Sequence, residues 1–306
     1  MNLSIIVPCY NEEGVVGLFY EEAIKHIKKC NCDYELIFVN DGSKDNTVQD
    51  CLELKKQDQN IVIVDFSRNF GKEAAMLAGM KESKGDLVVI MDSDLQDPPK
   101  LLPEMISAIV DEGYDSVATR RVDRKGEPAI RSFFARKFYK LINKMTEVEI
   151  VDGARDYRMM TRAMVDSIIA LPEYHRFSKG IFTWVGYETK YIEFENVERV
   201  AGETKWSFWK LFGYAIEGLV AYTTAPLRFA TYIGILMSGL GFIFMLFIVI
   251  KALVVGDPVA GYPSTIVLIT LIGGIQLVVL GVIGEYLAKT YMETKHRPIY
   301  IVKRKL

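Results

Sequence analysis

Two long apolar runs near the C-terminus limit what this chain can fold into more than any other feature. No charged residue occurs from Phe229 to Ile250 or from Tyr262 to Gly284, and Gln276 is the only strongly polar side chain of the second run. Each run exceeds the roughly 20 residues that a helix needs to cross the hydrocarbon core of a bilayer. We therefore predict a transmembrane hairpin over 229–288; the alternative is a pair of helices buried inside a soluble protein.

Basic residues beyond the second run predict how the hairpin is oriented. The lysines and arginines of the tail are Lys289, Lys295, Arg297, Lys303, Arg304 and Lys305. Cytoplasmic segments beside membrane helices carry such an excess of positive charge, and two crossings return the chain to its starting side. The opening residues MNLSIIVPCYNEE lack the basic start of a signal peptide. We therefore expect a multi-pass protein of the cytoplasmic (inner) cell membrane whose N-terminal domain faces the cytoplasm.

The residues around the hairpin predict the remaining organisation. Residues 207–225 are rich in Phe, Trp, Leu and Tyr, and they predict an amphipathic helix in the plane of the lipid headgroups. The expected segments are a domain over 1–206, an interfacial helix region over 207–228, the hairpin over 229–288 and a basic cytoplasmic tail over 289–306. The small residues Gly234 and Ser238 would allow helix packing within one subunit or in a homo-oligomer.

Overall charge and cysteine content exclude some classes of protein. The net charge is −2 and the pI is about 6.0, which gives no indication of nucleic-acid binding. The cysteines Cys9, Cys30, Cys32 and Cys51 have neither zinc-ligand spacing nor a disulfide pattern. We expect them to be reduced thiols, as is usual in the cytoplasm.

The first 120 residues or so alternate between short apolar segments and helical patterns. The predicted strands are Leu3–Pro8, Tyr34–Val39, Ile61–Asp65 and Leu87–Met91. The predicted helices are Glu12–Lys29, Lys44–Lys56, Lys72–Glu82 and Lys100–Glu112. Near-continuous apolar strands joined by helical crossovers are typical of an α/β fold in which helices cover a parallel sheet.

Polar clusters follow all four predicted strands. They are Tyr10–Glu12, Asn40–Ser43, Ser67–Asn69 and Asp92–Asp94. Ligands of parallel sheets bind at the carboxyl ends of the strands, so these clusters predict one binding site. The pair Asp92 and Asp94 has two interpretations. One carboxylate would cap the next helix while the other is solvated, or the pair would hold a divalent cation that bridges a diphosphate.

Six ordered segments carry a resemblance to a known family. They are IIVPCYNEE, VNDGSKDNT, SRNFGKEAAMLAG, MDSDLQDPP, DYRMMTR and AGETKWS. Together they resemble glycosyltransferase family 2, and more narrowly its polyprenyl-phosphate branch, which includes dolichol-phosphate mannose synthases and bacterial bactoprenol glucosyltransferases. The resemblance covers nearly the whole chain, including the two C-terminal spans. It implies a GT-A fold, a Rossmann-like nucleotide-sugar domain, and inverting transfer by single displacement.

The resemblance implies which residues bind the nucleotide of the donor. Pro8, Tyr10, Glu12 and Asp41 would contact the base and ribose. Asp41 also suits this role physically, because a carboxylate at a strand end accepts hydrogen bonds from ribose hydroxyls or base N–H groups. For Tyr10 the alternative is a packed surface aromatic.

The same resemblance implies a cation site. Asp92 would contact the donor, and Asp94 with Gln96 would ligate Mg²⁺ or Mn²⁺. Hard divalent cations prefer such oxygen ligands and keep waters and substrate phosphates in their coordination shell. On this interpretation the strand ends in two acids because a cation is required where the diphosphate departs.

Asp156 in DYRMMTR matches a position that the family places beside the anomeric carbon, usually as a base. A phosphate monoester has a second pKa of about 6, so a lipid phosphate acceptor is already mostly ionised in the cytoplasm. Asp156 would then act as a base or would orient the acceptor or a sugar hydroxyl. The alternative without catalysis is an Asp at a helix N-terminus that pairs with Arg158 or Arg162.

Basic residues would offset the repulsion between the acceptor phosphate and the departing diphosphate. Arg120, Arg131 and Lys205 are the candidates, and arginine in particular matches phosphate oxygens with two parallel hydrogen bonds. Lys205 lies in GETKWS, which resembles a family loop that closes over the diphosphate, with Trp206 where the family often has Tyr.

Two interpretations remain open for five other basic and aromatic residues. Arg124, Lys125 and Arg136 suit a solvated face or contact with anionic headgroups as well as catalysis. Arg176 and Trp184 lie in a stretch that resembles the family's Arg-Phe…Trp-x-Gly block. Support of the core or of an acceptor loop suits them as well as direct contact with substrate.

The function implied is transfer of one hexose from a nucleotide sugar to polyprenyl (undecaprenyl) phosphate. UDP-glucose is the first expectation for the donor, and UDP-GlcNAc and GDP-mannose remain open. One alternative is a processive polysaccharide synthase, although the Gln-x-x-Arg-Trp block of such enzymes is absent from the sequence. Another is a non-catalytic nucleotide-sugar-binding subunit, against which Asp92, Asp94 and Asp156 argue.

Overall fold

A computed structural model describes residues 1–121, 151, 153–194, 224–255 and 261–306. Contacts along the chain divide it into two units. The first comprises Met1–Gly218 together with Arg297–Leu306, and the second comprises Leu219–His296.

The first four strands and first four helices of the first unit alternate as the sequence predicts, and the elements that follow them were not predicted. Its strands are β1 (Asn2–Cys9), β2 (Asp33–Asn40), β3 (Ile61–Phe66), β4 (Leu87–Ile90), β5 (Ser116–Arg121), β6 (Ala154–Thr161), β7 (Thr189–Phe194) and β8 (Val302–Lys305). Its helices are α1 (Val15–Ile27), α2 (Thr47–Gln57), α3 (Lys72–Glu82), α4 (Leu102–Val110), α5 (Arg162–Ile169) and α6 (Ser178–Trp184). The predicted bounds of α3 are confirmed to the residue. Helix α4 begins later than predicted, because Pro99–Leu101 form a 3₁₀ turn ahead of it.

The described strands form one mixed sheet in the order β7-β5-β6-β4-β1-β2-β3-β8. Strands β1 to β4 are parallel to one another, which confirms the predicted parallel arrangement for this part of the chain. Strand β6 then returns antiparallel between β4 and β5. The antiparallel direction of β6 brings its start to the edge of the sheet where β4 ends.

Helices cover both faces of the sheet because alternate strand residues point to opposite sides. Leu3 and Ile5 of β1 belong to the apolar cluster shared with α1, α2 and α4. Ile6 points to the other face and meets α3, where a Cβ added to Gly79 would lie 2.2 Å from the Ile6 Cγ2 atom. Only glycine permits this close approach, which fixes α3 and its first turn against the sheet.

The C-terminal residues add an edge strand to the same sheet. Strand β8 pairs antiparallel with β3, and Leu306 exchanges two backbone hydrogen bonds of 2.9 Å with Ile63. The Arg304 Nε donates to the buried Asp65 carboxylate at 2.6 Å, and Tyr300 stacks on Phe66 with ring centroids 5.0 Å apart. The basic tail therefore includes a strand that its charge alone did not indicate.

The second unit contains the two apolar helices, α7 (Ala225–Val255, 31 residues) and α8 (Tyr262–Thr294, 33 residues). At 1.5 Å per residue they are about 46 Å and 50 Å long, enough for a bilayer core of about 30 Å. By length and composition both could cross a membrane, and their most apolar windows are 6% and 0% buried. The described residues thus do not support the alternative of helices buried in a soluble protein. Of the predicted interfacial region, 225–228 already belong to α7, and 207–223 lie outside the described residues.

Candidate active site

The loops that follow β1 and β2 are joined by hydrogen bonds. The Asn11 backbone N–H donates to Ser43 Oγ at 2.9 Å, and the Glu12 N–H donates to Thr47 Oγ1 at 2.8 Å. Pro8 lies in β1 beside β2. The neighbouring Tyr10 is 40% exposed, so its ring is available for stacking on a ligand. Nucleotide contacts of Pro8, Tyr10 and Glu12 stay predictions, and the structure places all three at one edge of the sheet.

Asp41 has a structural role that the sequence did not predict. It is only 4% exposed, and its carboxylate accepts hydrogen bonds from the backbone N–H groups of Phe70 (2.6 Å) and Gly71 (2.9 Å). Burial raises the pKa of Asp41, while these two donors lower it. Asp41 therefore anchors the turn that starts α3, where Gly71 has a φ of +97° that favours glycine. A nucleotide contact would use the remaining lone pairs of this carboxylate.

The register between β4 and β6 brings two acids together across 64 residues of chain. Ile90 of β4 pairs with Arg158 of β6 in an antiparallel register. Continuing that register by two residues beyond β4 places Asp92 opposite Asp156. The two candidate residues named separately from the sequence thus meet at one point of the sheet edge.

A lysine lies between these two acids. The Lys72 Nζ is 2.7 Å from Asp92 Oδ1 and 2.7 Å from Asp156 Oδ2. The side chains of Lys72, Asp92 and Asp156 are 39%, 27% and 21% exposed, so the cluster faces solvent from a recess.

The noncatalytic interpretation of Asp156 required a helix N-terminus and Arg158 or Arg162 as a partner; the helix is wrong, because Asp156 lies in β6. The structure gives both arginines other partners, since Arg158 donates to the Ser116 and Thr189 hydroxyls and Arg162 to the Gly85 carbonyl. Lys72 takes the place of both. No role for Lys72 was predicted from the sequence. The segment SRNFGKEAAMLAG nevertheless places this lysine directly after a glycine, at the start of a predicted helix.

The charges around Asp156 decide its protonation. Burial by itself raises the pKa of Asp156, but Lys72, Lys179 and Arg155 together hold it well below its usual range. A carboxylate with so low a pKa is a weak proton acceptor. The electrostatics therefore favour an orienting role for Asp156 over a role as general base.

The loop after β4 is held in a strained, well-supported conformation. Leu95 has a φ of +58°, a left-handed conformation that costs on the order of 1 kcal/mol for a residue other than glycine. Asp94 Oδ1 accepts from the Gln96 N–H at 3.1 Å, so the two predicted ligands bracket this turn. The buried Asp97 accepts from the Asp92 N–H at 3.2 Å and pairs with Arg155 at 3.1 Å, which anchors the loop from beneath.

The oxygen donors of this loop fit a hard divalent cation. Asp94 and Gln96 offer a carboxylate and an amide oxygen, with Asp92 adjacent. Among the described residues no group of three or more His, Cys, Asp or Glu forms a metal cluster. A small protein ligand set of this kind suits Mg²⁺ or Mn²⁺, which complete their shells with water and substrate phosphates.

The basic candidates are only partly described. Arg120 lies one residue before the end of β5, at the same edge of the sheet, and its Nη1 lies 3.7 Å from Glu193 Oε1. Arg131 and Lys205 lie outside the described residues, as do Arg124, Lys125, Arg136 and Trp206. The phosphate contacts of these residues stay predictions.

Arg176 and Trp184 have different environments in the structure, since Arg176 is buried and Trp184 is exposed. Arg176 is buried and donates to the carbonyls of Leu171 (2.9 Å) and Ile168 (3.2 Å), so it satisfies the C-terminal end of α5. This supports the structural interpretation of Arg176. Trp184 ends α6 and is 58% exposed.

Glu73 links the site to α6. Its carboxylate accepts from the Ser178 N–H at 3.1 Å and from the Ser178 hydroxyl. Burial raises the pKa of Glu73 from 4.5 to about 7, Asp156 adds to the shift, and the Ser178 donors oppose it. Glu73 is therefore a buried acid that interacts with Asp156 and whose pKa is raised to about 7.

We expect Glu73→Gln to weaken the dependence of stability on pH. The folded protein holds this proton more tightly than the unfolded chain, so the free energy of unfolding falls as pH rises from 4.5 to about 7 through Glu73. Glutamine cannot ionise and keeps an oxygen to accept from Ser178. Thermal unfolding in detergent at about pH 5 and about pH 8 measures the difference. The exposed Glu53→Gln is the control, and an unchanged pH dependence in Glu73→Gln would contradict the assignment.

The mixed sheet with helices on both faces is a GT-A type of fold. A crystal structure of mannosyl-3-phosphoglycerate synthase from Rubrobacter xylanophilus has this fold, with a TM-score of 0.51 and 17% sequence identity over 72% of this chain and 73% of that one. The similarity concerns the fold alone.

Sequence comparison gives the family. A profile of Glycosyl transferase family 2 matches residues 4–169. CsbB of Bacillus subtilis (strain 168) is 44% identical over 98% of this chain and 91% of that protein. The bactoprenol glucosyl transferase of Shigella phage SfV is 41% identical over 99% of this chain and 98% of that protein. The chain belongs to glycosyltransferase family 2, and it is a glycosyltransferase.

Proposed function

We propose that this protein transfers one glucose from UDP-glucose to polyprenyl (undecaprenyl) phosphate, with inversion at the anomeric carbon, on the cytoplasmic face of the membrane. The observation that carries the proposal is the meeting of Asp92 and Asp156 at the carboxyl end of β4. The full-length similarity to a bactoprenol glucosyl transferase supports the sugar and the lipid.

The reaction is a single displacement. An oxygen of the acceptor phosphate forms a bond to the anomeric carbon, and the bond from that carbon to the nucleotide breaks with its electron pair leaving on the nucleoside diphosphate. The acceptor arrives mostly ionised, since its second pKa is about 6. Asp156, itself ionised, orients the acceptor or a sugar hydroxyl through hydrogen bonds, and a fixed geometry of this kind lowers the entropic part of the barrier.

Asp94 and Gln96 would hold Mg²⁺ or Mn²⁺ beside Asp92. When bound, the cation would neutralise the negative charge that develops on the departing diphosphate. Arg120, Arg131 and Lys205 would add positive charge around the same phosphates. The basic residues of the chain thereby counter the repulsion between two phosphate-bearing substrates.

The apolar helices bring this chemistry to a lipid acceptor. A polyprenyl phosphate stays at the membrane interface, so an enzyme with α7 and α8 in the bilayer works where its acceptor is confined. The tail after α8 returns to the sheet as β8, so both ends of the helical unit connect to the sheet domain. This connectivity supports an even number of crossings, and the basic tail supports a cytoplasmic orientation.

The test is a product assay with full-length protein in detergent or nanodiscs. Purified protein receives undecaprenyl phosphate, Mn²⁺ and one labelled donor at a time: UDP-glucose, UDP-GlcNAc or GDP-mannose. We expect UDP-glucose to give one lipid product that carries a single hexose by mass spectrometry. A ladder of products would indicate a processive synthase. No product with any donor would indicate a non-catalytic binding subunit and would contradict the proposal.

A further inference from the structure

The backbone on both sides of Lys72, the lysine between Asp92 and Asp156, is anchored to the sheet. Lys72 is the first residue of α3. The turn before it is fixed by the two hydrogen bonds to the buried Asp41, and the helix after it is fixed by the close packing of Gly79 on Ile6. Both anchors lie on the sheet that carries the two acids, so the Lys72 ammonium group is built into the site.

Fold stability alone does not account for this arrangement. The Lys72 side chain is 39% exposed, so solvent screens its ion pairs and reduces their contribution to the free energy of unfolding. Two carboxylates face each other across the site, and without a cation between them their like charges would repel and move them apart. Lys72 thus has a larger effect on the geometry of the acids than on the stability of the sheet.

We propose that Lys72 is a positioning residue of the transfer reaction, which holds the Asp156 carboxylate at the reaction centre opposite Asp92. The inference rests on the proposed function and deepens it. Lys72 contacts the two acids from the α3 side of the site, and the loop with Asp94 and Gln96 approaches from the end of β4. Lys72 is therefore placed to fix the acids without being a ligand of the cation.

This placement predicts a different signature from that of a structural ion pair. Replacing Lys72 with methionine keeps the length and apolar stem of the side chain and removes the charge. We expect kcat to fall about 10²-fold while the KM for the donor changes less than about threefold, because the lost interaction orients the reacting groups more than it binds the donor. The melting temperature should stay within a few degrees of wild type.

Cation binding without donor gives a second readout. The Lys72 charge, paired with Asp92, repels a divalent cation held nearby by Asp94 and Gln96, so its removal should increase the affinity for that cation. We expect Lys72→Met to bind Mn²⁺ about tenfold more tightly than wild type in calorimetry without nucleotide. A residue that only stabilises the fold would not change this affinity in that direction.

The matched control is Lys81→Met, which removes a lysine from the far end of the same helix. Lys72→Arg restores the charge and should recover at least tenfold of the lost kcat. The inference is overturned if wild type makes glycolipid and Lys72→Met has the kcat and the Mn²⁺ affinity of Lys81→Met. If wild type makes no glycolipid with any donor, the proposed function itself fails, and the two outcomes are thereby distinguished.

Discussion

Replacing Asp94 with alanine is expected to lower turnover about 10³-fold and to remove its dependence on added Mg²⁺ or Mn²⁺. Stabilisation of a developing diphosphate charge by a bound cation amounts to several kcal/mol, and about 4 kcal/mol corresponds to this factor. Asp94 is the only carboxylate of the predicted ligand pair, so its loss leaves Gln96 alone to hold the ion. The measurement is glycolipid formation as a function of cation concentration.

One further variant separates charge from geometry at this position, and a second variant elsewhere is its control. Asp94→Asn keeps an oxygen that accepts from the Gln96 N–H and thus keeps the turn, but it removes the charge. It should resemble the alanine variant if charge is decisive. Asp33→Ala removes an exposed acid from the opposite edge of the sheet, at the start of β2, and should be without effect. Wild-type cation dependence in Asp94→Ala would exclude Asp94 as a ligand.

Replacing Asp156 with asparagine is expected to lower kcat about 10²- to 10³-fold with little change in the KM for the donor. Asparagine has nearly the same shape, but it lacks the charge that pairs with Lys72 at 2.7 Å. Orientation at the reaction centre and charge stabilisation each contribute factors of this size. Steady-state kinetics with undecaprenyl phosphate and labelled donor give both constants.

The Asp156 result has a clear contrary outcome. If only the KM for the donor rises, Asp156 binds the nucleotide sugar and does not lie beside the reaction centre. The control is Asp166→Asn on α5, whose carboxylate is 64% exposed and forms a surface pair with Arg162 at 3.7 Å. The two acids lie ten residues apart, and only one of them faces Lys72.

The positions of the acids show why the structure was needed to define the site. The sequence placed Asp92 at the end of a strand and matched Asp156 to a family motif. Their meeting depends on β6 running antiparallel to β4, and pairing between distant strands has no signature in local periodicity. The same is true of Lys72, whose partners lie 20 and 84 residues away in the chain.

Asp41 shows a different limit of sequence reasoning. Its place after β2 predicted a binding role, whereas its burial and its two backbone donors reveal that it also anchors the start of α3. A polar residue at a strand end can bind a ligand or form hydrogen bonds to the neighbouring loop. Composition does not distinguish these two roles. Only the packing around the carboxylate assigns it.

Features that depend on neighbours along the chain could be predicted from the amino-acid pattern. Apolar periodicity and length predicted the first four strands, the first four helices and the two apolar spans, because burial acts on local patterns of side chains. The contacts between distant elements became known only from the folded chain: β6 beside β4, β8 against β3, and Lys72 at the start of α3 against Asp92 and Asp156. Strand register and close packing join residues far apart in the chain, and no local sequence pattern records such contacts.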